Sequence, residues 1–245
     1  MSHIKDANLA PAGRDKINWV VSYMPLLQAI QADFRQTRPF AGLRVAISIH
    51  LEAKTAYFAT ILQAGGAAVR ATGCNPLSTQ DDVAAALAES GVEVFAVHGA
   101  TAEEYQADLC AALAFRPHLI IDDGGDFTQL LHVDHPEYAE ALIGGCEETT
   151  TGIMRLKARE REGGLRFPMI SVNDADCKHL FDNRYGTGQS TMTALMAVTN
   201  LSVASRVVVI AGYGWCGRGI AAKAKGMGGQ VIVTEIDPVK GIEAA

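Results

Sequence analysis

A glycine-rich turn near the end of the sequence has the residue types needed to hold a dinucleotide. The motif GYGWCG at residues 212–217 follows an apolar segment, residues 206–210, and precedes a segment with helical periodicity. In such motifs the first glycine, here Gly212, permits a tight turn, the second, Gly214, lets a pyrophosphate approach the backbone, and the third, Gly217, allows close helix–strand packing. Free N–H groups at the helix N-terminus attract the phosphates.

A carboxylate at the end of the next predicted strand, residues 230–234, indicates which cofactor this turn takes. Glu235 lies about 20 residues after the motif, where it would accept hydrogen bonds from ribose hydroxyls. Because a carboxylate repels the 2′-phosphate of NADP, the sequence predicts NAD. The alternative is a glycine turn in an ordinary βαβ unit that holds no ligand.

Metal ligands were the other candidates. Asp122, Asp123 and Asp126 are types that Mg²⁺ or Ca²⁺ accepts, but their spacing does not match a metal-binding loop. His132 and His135 are three residues apart, as in some zinc sites, but no further ligand motif accompanies them. We therefore expect no metal, and we interpret the two histidines as part of a surface helix.

Alternating strands and helices must position these groups. Apolar segments predict strands over residues 43–49, 67–72, 92–97, 118–121, 169–172, 206–210 and 230–234. Helical patterns lie between them, including a long helix over residues 17–34 bent at Pro25, one capped by Ser78, and one that begins with a Thr101/Glu104 capping box. This alternation predicts an α/β fold, a doubly wound parallel sheet followed by the start of a Rossmann unit. Such sheets bind ligands at the carboxyl ends of their strands.

The predicted domains are a substrate-binding and catalytic domain, residues 1–188, and the N-terminal part of an NAD-binding Rossmann domain, residues 189–245. A complete Rossmann domain needs two βαβαβ halves, and only one βαβ step is evident here. We therefore expect the sequence to end inside the NAD domain and this chain alone to retain NAD weakly.

Composition excludes several classes of protein. The net charge of −6 argues against nucleic acid as a partner. No apolar run is long enough to cross a bilayer, and the first residues do not form a signal peptide. The five cysteines include no CxxC pair and are expected to be reduced thiols. We expect a cytoplasmic protein with no membrane partner.

Several strings, in order over nearly the whole chain, resemble the S-adenosylhomocysteine hydrolase family. They are DDGGD at residues 122–126, EETTTG at 147–152, ND at 173–174, Lys178, FDN at 181–183, YG at 185–186, GYGWCGRG at 212–219 and TEIDP at 234–238. The NRYGTGQ segment at 183–189 is similar to the archaeal and thermophilic branch.

This resemblance implies reversible, NAD-dependent hydrolysis of S-adenosyl-L-homocysteine to adenosine and L-homocysteine. NAD oxidises the ribose 3′-hydroxyl to a ketone, which acidifies the C4′ proton. Loss of that proton expels homocysteine, water adds, and the ketone is reduced again. The resemblance also implies a homo-oligomer, a tetramer.

The same resemblance implies roles for individual side chains. Lys178 and Asp182 resemble the pair that contacts the ribose hydroxyls, with Lys178 as the base for the 3′-hydroxyl. Glu148 resembles the carboxylate that holds the ribose diol. Asp123 and His50 resemble the acid/base pair on the 5′ side, where homocysteine leaves and water attacks.

Other positions are implied to contact NAD. Those at its nicotinamide end are Thr149, Thr150, Thr151 and Asn183. Those around the glycine turn and the adenosine ribose are Gly212, Gly214, Trp215, Cys216, Gly217, Arg218, Gly219, Glu235 and Lys240.

Some positions depart from the family pattern. Where the family commonly has threonine and glutamate on the adenine side, this chain has Glu52 and Lys54, whereas the substrate contact Thr55 fits. Thr187 stands in place of a common cysteine, and Lys240 in place of an asparagine that touches NAD. The adenine-side contacts therefore stay open.

Two alternatives remain beside the hydrolase. The departures at Glu52 and Lys54 are compatible with a catalytically silent regulatory or binding homologue, or with an inactive fragment of the enzyme. The residues that speak against a silent homologue are Asp123, Glu148, Lys178 and Asp182. An NAD-linked 2-hydroxy-acid dehydrogenase has a similar two-domain plan but lacks the EETTT and FDN strings.

Overall fold

The computed structural model describes residues 2–245, which form two compact units. The first ends at Ser171, and the second runs from Val172 to Ala245, so the structural division precedes the predicted boundary at residue 188.

Local packing explains this earlier division. The backbone of Arg184 contacts Gly219, and Gly219 in turn contacts Gly188, at distances that leave no room for a side chain on either glycine. The segment before residue 188 therefore packs with the glycine-turn unit. The assignment of substrate binding to residues 1–188 stays a prediction.

The first unit contains a parallel six-stranded sheet. Its strands are β1 Arg44–Ser48, β2 Ala68–Thr72, β3 Glu93–Phe95, β4 Leu119–Asp122, β5 Gly144–Glu147 and β6 Met169–Ser171. Their spatial order is β3-β2-β1-β4-β5-β6. The chain builds outward from β1 on one side and from β4 on the other, so the topological switch point lies between these two strands. The predicted α/β doubly wound fold is confirmed.

Helices cover this sheet. They are α1 Ala10–Val21, α2 Pro25–Thr37, α3 Ala53–Ala64, α4 Asp81–Glu89, α5 Ala102–Leu113, α6 Asp126–Gln129 and α7 Thr150–Arg161. The predicted long N-terminal helix is two helices, because Pro25 begins α2 and the preceding Met24 has the non-helical dihedrals φ −121° and ψ 62°. The Thr101/Glu104 capping box of α5 is confirmed.

The core lies on both faces of the sheet, as a parallel sheet requires. Val45 and Ile47 of β1 pack with α3 and α4 on one face, whereas Ala46 points to the opposite face with Ile120 and α5. This alternation follows from the two-residue period of a strand.

The strand β5, which was not predicted, has the sequence GGCE and lacks the β-branched residues that indicate strands. Glycine is needed because the position of a Gly145 side chain is filled by Ile120 and Met169. The surface-helix interpretation of His132 is also wrong. Its ring is buried, with Nδ1 2.7 Å from Thr128 O and Nε2 accepting from Arg166 N–H.

The second unit continues with helices and a parallel strand pair. Its elements are α8 Asp176–Lys178, a π-helical segment His179–Gly186, α9 Thr187–Thr199, β7 Val207–Ala211, α10 Trp215–Gly226, β8 Gln230–Thr234 and α11 Pro238–Ala244. The predicted strand–turn–helix–strand order around the glycine motif is confirmed. Across residues 2–245, none of the helices combines the length and apolarity needed to span a bilayer.

Candidate active site

Two predicted catalytic residues meet at the switch point of the six-stranded sheet. His50 follows β1 and Asp123 follows β4, and these strands pair with each other in parallel. His50 Nε2 lies 3.6 Å from Asp123 Oδ2. This distance is longer than a hydrogen bond, and it leaves the two side chains as neighbours on the same side of the site. The imidazole is half exposed and the carboxylate nearly buried, so the pair opens toward solvent from the His50 side.

Ser78 holds the His50 ring. Its Oγ lies 2.6 Å from His50 Nδ1 and donates its own proton to Asn75 O at 2.9 Å. A carbonyl oxygen can only accept, so the hydroxyl must accept the Nδ1–H of the imidazole. In the neutral ring, Nε2 then carries the lone pair and faces Asp123. The predicted capping role of Ser78 is wrong, because α4 begins at Asp81 after Gln80.

Cys74 contacts the Asp123 side of the His50–Asp123 pair. Its thiol donates to Asp123 Oδ2 across 3.2 Å. Burial, and then the neighbouring Asp123 carboxylate, raise the pKa of Cys74 well above its ordinary value, so the sulfur carries its proton at neutral pH. The Tyr105 hydroxyl lies 3.0 Å from Cys74 O and 2.9 Å from Asp126 Oδ2.

Two buried carboxyl groups fix the loops that carry the site. Asp122 accepts from the backbone N–H groups of Phe127 and Thr128 and from the Thr128 hydroxyl, while burial raises its pKa to about 6. Glu147 pairs with Asp122 across β4 and β5 and is fully buried. These contacts fix the turn after β4, where Asp123 lies.

Glu147 connects two of the predicted binding loops. Its Oε1 accepts from Gly124 N–H and Thr149 N–H, each at 2.9 Å. Its Oε2 has no hydrogen-bond partner among residues 2–245, and burial raises the pKa of Glu147 to about 7. Gly152 is required beside it, because a Cβ there would overlap the Glu147 carboxylate.

The other substrate-side residues lie around these loops. Glu148 directly follows β5, and its N–H donates to Asp122 O at 3.0 Å. Thr149 precedes α7, whose first two residues are Thr150 and Thr151. Their proposed contacts with ligands stay predictions.

Thr55 lies in the first turn of α3. The departure at Glu52 has a structural role there, since its carboxylate caps the helix by accepting from the N–H groups of Lys54 and Thr55. The ligand contact predicted for Thr55 stays a prediction.

In the second unit, Lys178 is held by three oxygen atoms. Its Nζ donates to Asn183 Oδ1 at 2.9 Å and Asn173 Oδ1 at 3.2 Å, and it lies 3.3 Å from Asp182 Oδ2. Asn183 also donates from Nδ2 to Asn173 Oδ1 at 3.2 Å. The structure thus brings together the predicted residues Lys178, Asp182 and Asn183, and adds Asn173.

The glycine turn has the geometry of a phosphate cradle. Gly212 has φ +96°, a conformation that disfavours residues with a side chain. A Cβ on Gly217 would collide with the Gly212 carbonyl oxygen, whereas Gly214 faces open space within 4 Å of its Cβ position. Glu235 accepts from the N–H groups of Tyr213, Ile236 and Asp237, and these backbone hydrogen bonds lower its pKa.

The segment that carries Lys178 packs against the helix that follows this turn. The rings of His179 and Trp215 lie 5.1 Å apart between centroids. Arg218 stacks over Trp215 at 4.9 Å from the ring centroid and contacts Glu243 Oε1 at 2.6 Å. The Lys178 segment and the glycine turn therefore belong to one packed unit.

The last predicted NAD contacts occupy nearby positions. Cys216 and Gly219 lie in the first turns of α10, and Lys240 Nζ lies 3.5 Å from Asp237 Oδ2 in α11. NAD contacts for these residues stay predictions.

Four supporting residues had no predicted role here: Ser78, Cys74, Glu147 and Asn173. Glu147 and Asn173 lie inside the family-like strings, so the strings could have indicated these two residues. Ser78 and Cys74 lie outside them, and the sequence carried no signal for their roles.

The chain matches family models along its length. A model described as "S-adenosyl-L-homocysteine hydrolase" matches residues 1–137 and 132–212. A second, "S-adenosyl-L-homocysteine hydrolase, NAD binding domain", matches residues 183–245.

Similar proteins carry two related names. The chain is 54% identical over 241 residues to "Adenosylhomocysteinase" of Pyrococcus abyssi, covering 98% of the chain and 57% of that protein. It is 56% identical over 232 residues to "Adenosylhomocysteinase" of Thermotoga maritima, covering 95% and 57%. It is 52% identical over 244 residues to "S-inosyl-L-homocysteine hydrolase" of Methanocaldococcus jannaschii, covering 100% and 59%. The chain thus spans less than two thirds of these relatives' length. It belongs to the S-adenosyl-L-homocysteine hydrolase family.

Proposed function

We propose that the protein carrying this chain catalyses the reversible, NAD-dependent hydrolysis of S-adenosyl-L-homocysteine to adenosine and L-homocysteine. The observation that carries this proposal is the His50–Asp123 pair at the switch point of a parallel sheet, in a chain of this family. Switch points are where such sheets bind ligands.

The second unit fits NAD. Open space beside Gly214 admits a pyrophosphate, and the N-terminus of α10 offers free N–H groups. The Glu235 carboxylate has about four lone-pair sites, and three backbone N–H groups leave room for a ribose hydroxyl. NAD held at this turn would supply reversible hydride transfer at the 3′ carbon of the sugar, the chemistry that makes the C4′ proton acidic.

Lys178 and Asp182 are the proposed ribose contacts. Asn173 and Asn183 fix Lys178 Nζ through their amide oxygens, which keeps the amine in one position. From there Lys178 would take and return the proton of the 3′-hydroxyl. Asp182, largely exposed, keeps lone pairs available for a sugar hydroxyl.

His50 and Asp123 are the proposed acid/base pair for the 5′ side. For the hydrolysis, His50 would start as the imidazolium and give its Nε2 proton to the sulfur of departing homocysteine, and the freed Nε2 would then accept a proton from the water that adds to C5′. Asp123, whose Oδ2 lies 3.6 Å from Nε2, would stabilise the imidazolium before homocysteine leaves and again after water has added.

The rate of homocysteine release by the Lys178→Ala variant tests the proposed role of Lys178 as the base for the 3′-hydroxyl. We expect a loss of about 10²- to 10⁴-fold, the range for a positioned acid or base. Lys225→Ala, an exposed lysine near the end of α10, is the matched control and should retain full turnover. Circular dichroism checks that both variants fold. Turnover unchanged in Lys178→Ala would remove this residue from the mechanism.

S-inosyl-L-homocysteine is a second candidate substrate, favoured by Lys54. At the position of Lys54 the family commonly has an acidic side chain. The exposed ammonium of Lys54 lies 3.7 Å from Glu52 Oε2. An ammonium only donates hydrogen bonds, which suits the 6-oxo group of hypoxanthine better than the 6-amino group of adenine. The ratio of kcat/KM for the two substrates should shift toward the adenine compound in Lys54→Glu. An unchanged ratio would exclude Lys54 as the determinant.

We also propose a cytoplasmic homo-oligomer, a tetramer. All five cysteines are unpaired, which supports a reducing compartment. Light scattering coupled to gel filtration measures the oligomeric state.

A further inference from the structure

His50, Cys74 and Asp123 form a compact set of potential metal ligands. A ring nitrogen, a sulfur and a carboxylate oxygen, one from each residue, all lie within 4.8 Å of one another. Cys74 Sγ is 3.2 Å from Asp123 Oδ2, and His50 Nε2 is 3.6 Å from the same oxygen. Separations of this size resemble those between neighbouring ligands around one small cation, because Zn–N, Zn–O and Zn–S bonds are about 2.0–2.3 Å.

The ring of His50 is already oriented as a metal-binding imidazole would be. Ser78 Oγ accepts the Nδ1–H at 2.6 Å, so the Nε2 lone pair faces the other two donors. Metal-binding histidines usually donate their second ring N–H to such a fixed acceptor. The half-exposed ring also leaves an entry path from solvent.

We propose that His50, Cys74 and Asp123 bind a zinc ion, with water in the fourth position. The mixed nitrogen, sulfur and oxygen set suits Zn²⁺, whereas Mg²⁺ and Ca²⁺ prefer oxygen ligands alone. On binding, the Cys74 thiol loses its proton to solvent and a Zn–S bond forms, so one proton is released for each ion. No electron transfer is involved.

The site overlaps the proposed acid/base pair, so zinc acts as an inhibitor of the proposed hydrolysis rather than its cofactor. It occupies the Nε2 lone pair that would accept the proton from water. The metal site itself rests only on these side chains. Metal binding tests the zinc site, and homocysteine release tests the proposed hydrolysis. A negative result in one measurement therefore leaves the other proposal intact.

Cobalt titration of this chain tests the site directly. Tetrahedral Co²⁺ bound to a thiolate gives a near-ultraviolet charge-transfer band. We expect this band at one equivalent, its disappearance when Zn²⁺ displaces Co²⁺, and release of one proton for each ion. Absence of the band in the unaltered chain, or an octahedral cobalt spectrum, would overturn the proposal.

Variants assign the ligands. Cys74→Ser should abolish the band and weaken zinc binding by at least about tenfold, and His50→Gln, at an exposed position, should weaken it similarly. Cys177→Ser, an exposed cysteine in the second unit, is the matched control and should retain the full band. A band that persists in Cys74→Ser, or that disappears in Cys177→Ser, would contradict the assignment. If Cys74→Ser fails to fold, the exposed His50→Gln decides.

Discussion

Ser78 Oγ lies 2.6 Å from His50 Nδ1, so a residue on a different loop determines which nitrogen of the ring is free. Removing this acceptor in Ser78→Ala lets the ring rotate and populate the other tautomer. We expect kcat to fall by about 10²-fold or more, since the correct tautomer of a catalytic histidine carries much of its effect. The measurement is the pH profile of homocysteine release.

Ser78→Thr keeps the hydroxyl and should restore most of the activity. Because Ser78 does not cap α4, we expect Ser78→Ala to change the free energy of unfolding by no more than about 0.5 kcal/mol. A large loss of stability together with an unaltered pH profile would indicate a purely structural role.

Buried Glu147 should make the first unit less stable as the pH rises. Its pKa is raised from 4.5 to about 7, so the folded chain binds this proton more tightly than the unfolded chain. The stabilisation is therefore complete below about pH 4.5 and is lost as the pH rises through about 7. We expect Glu147→Gln to remove this slope, at most about 1.4 kcal/mol per pH unit.

Denaturant unfolding at pH 5 and pH 8 measures the effect of Glu147. Asp122, whose pKa is also raised, is electrostatically coupled to Glu147, so the difference between the variant and the unaltered chain measures Glu147 together with this coupling. Parallel stability curves for the two proteins would contradict the prediction.

Alanine substitutions at Gly214 and Gly217 should have different effects, one on NAD binding and the other on stability. A Cβ at Gly217 meets the Gly212 carbonyl oxygen, so Gly217→Ala should destabilise the second unit by about 1–3 kcal/mol. Gly214 has φ −71° and faces open space, so Gly214→Ala should fold normally and yet weaken NAD binding. Thermal unfolding and titration with NAD measure the two effects. Normal NAD affinity in Gly214→Ala would place the pyrophosphate elsewhere.

Glu235 should control the choice between NAD and NADP. Its carboxylate repels a 2′-phosphate, and Glu235→Gln removes this charge while keeping an oxygen that can accept from Tyr213 N–H. We expect weaker NAD binding and a smaller preference for NAD over NADP, measured by competitive titration. Asp237→Asn, which changes a charge at a helix cap two residues later, is the control and should leave the preference unchanged.

The local pattern of residues was enough to predict the glycine turn and most strands. Alternating apolar segments and the spacing from Gly212 to Glu235 reflect interactions within one strand–helix–strand unit, so they can be read directly along the chain. The resemblance to the family added His50, Asp123, Lys178 and the other site residues.

Tertiary structure decided how those residues are supported. Gly145 is required in β5 because Ile120 and Met169 of the neighbouring strands leave no room for a side chain there. Ser78 looked like a helix cap, yet its hydroxyl holds a histidine 28 residues away, and Cys74 reaches a carboxylate 49 residues away.

The sequence by itself thus determined most of the strands and helices, the glycine turn and the resemblance to the family. Only the tertiary structure decided which nitrogen of His50 is free and that Cys74 meets Asp123. The physical reason is that hydrogen bonds between residues distant in the chain depend on how the strands assemble, and short-range periodicity carries no information about that assembly.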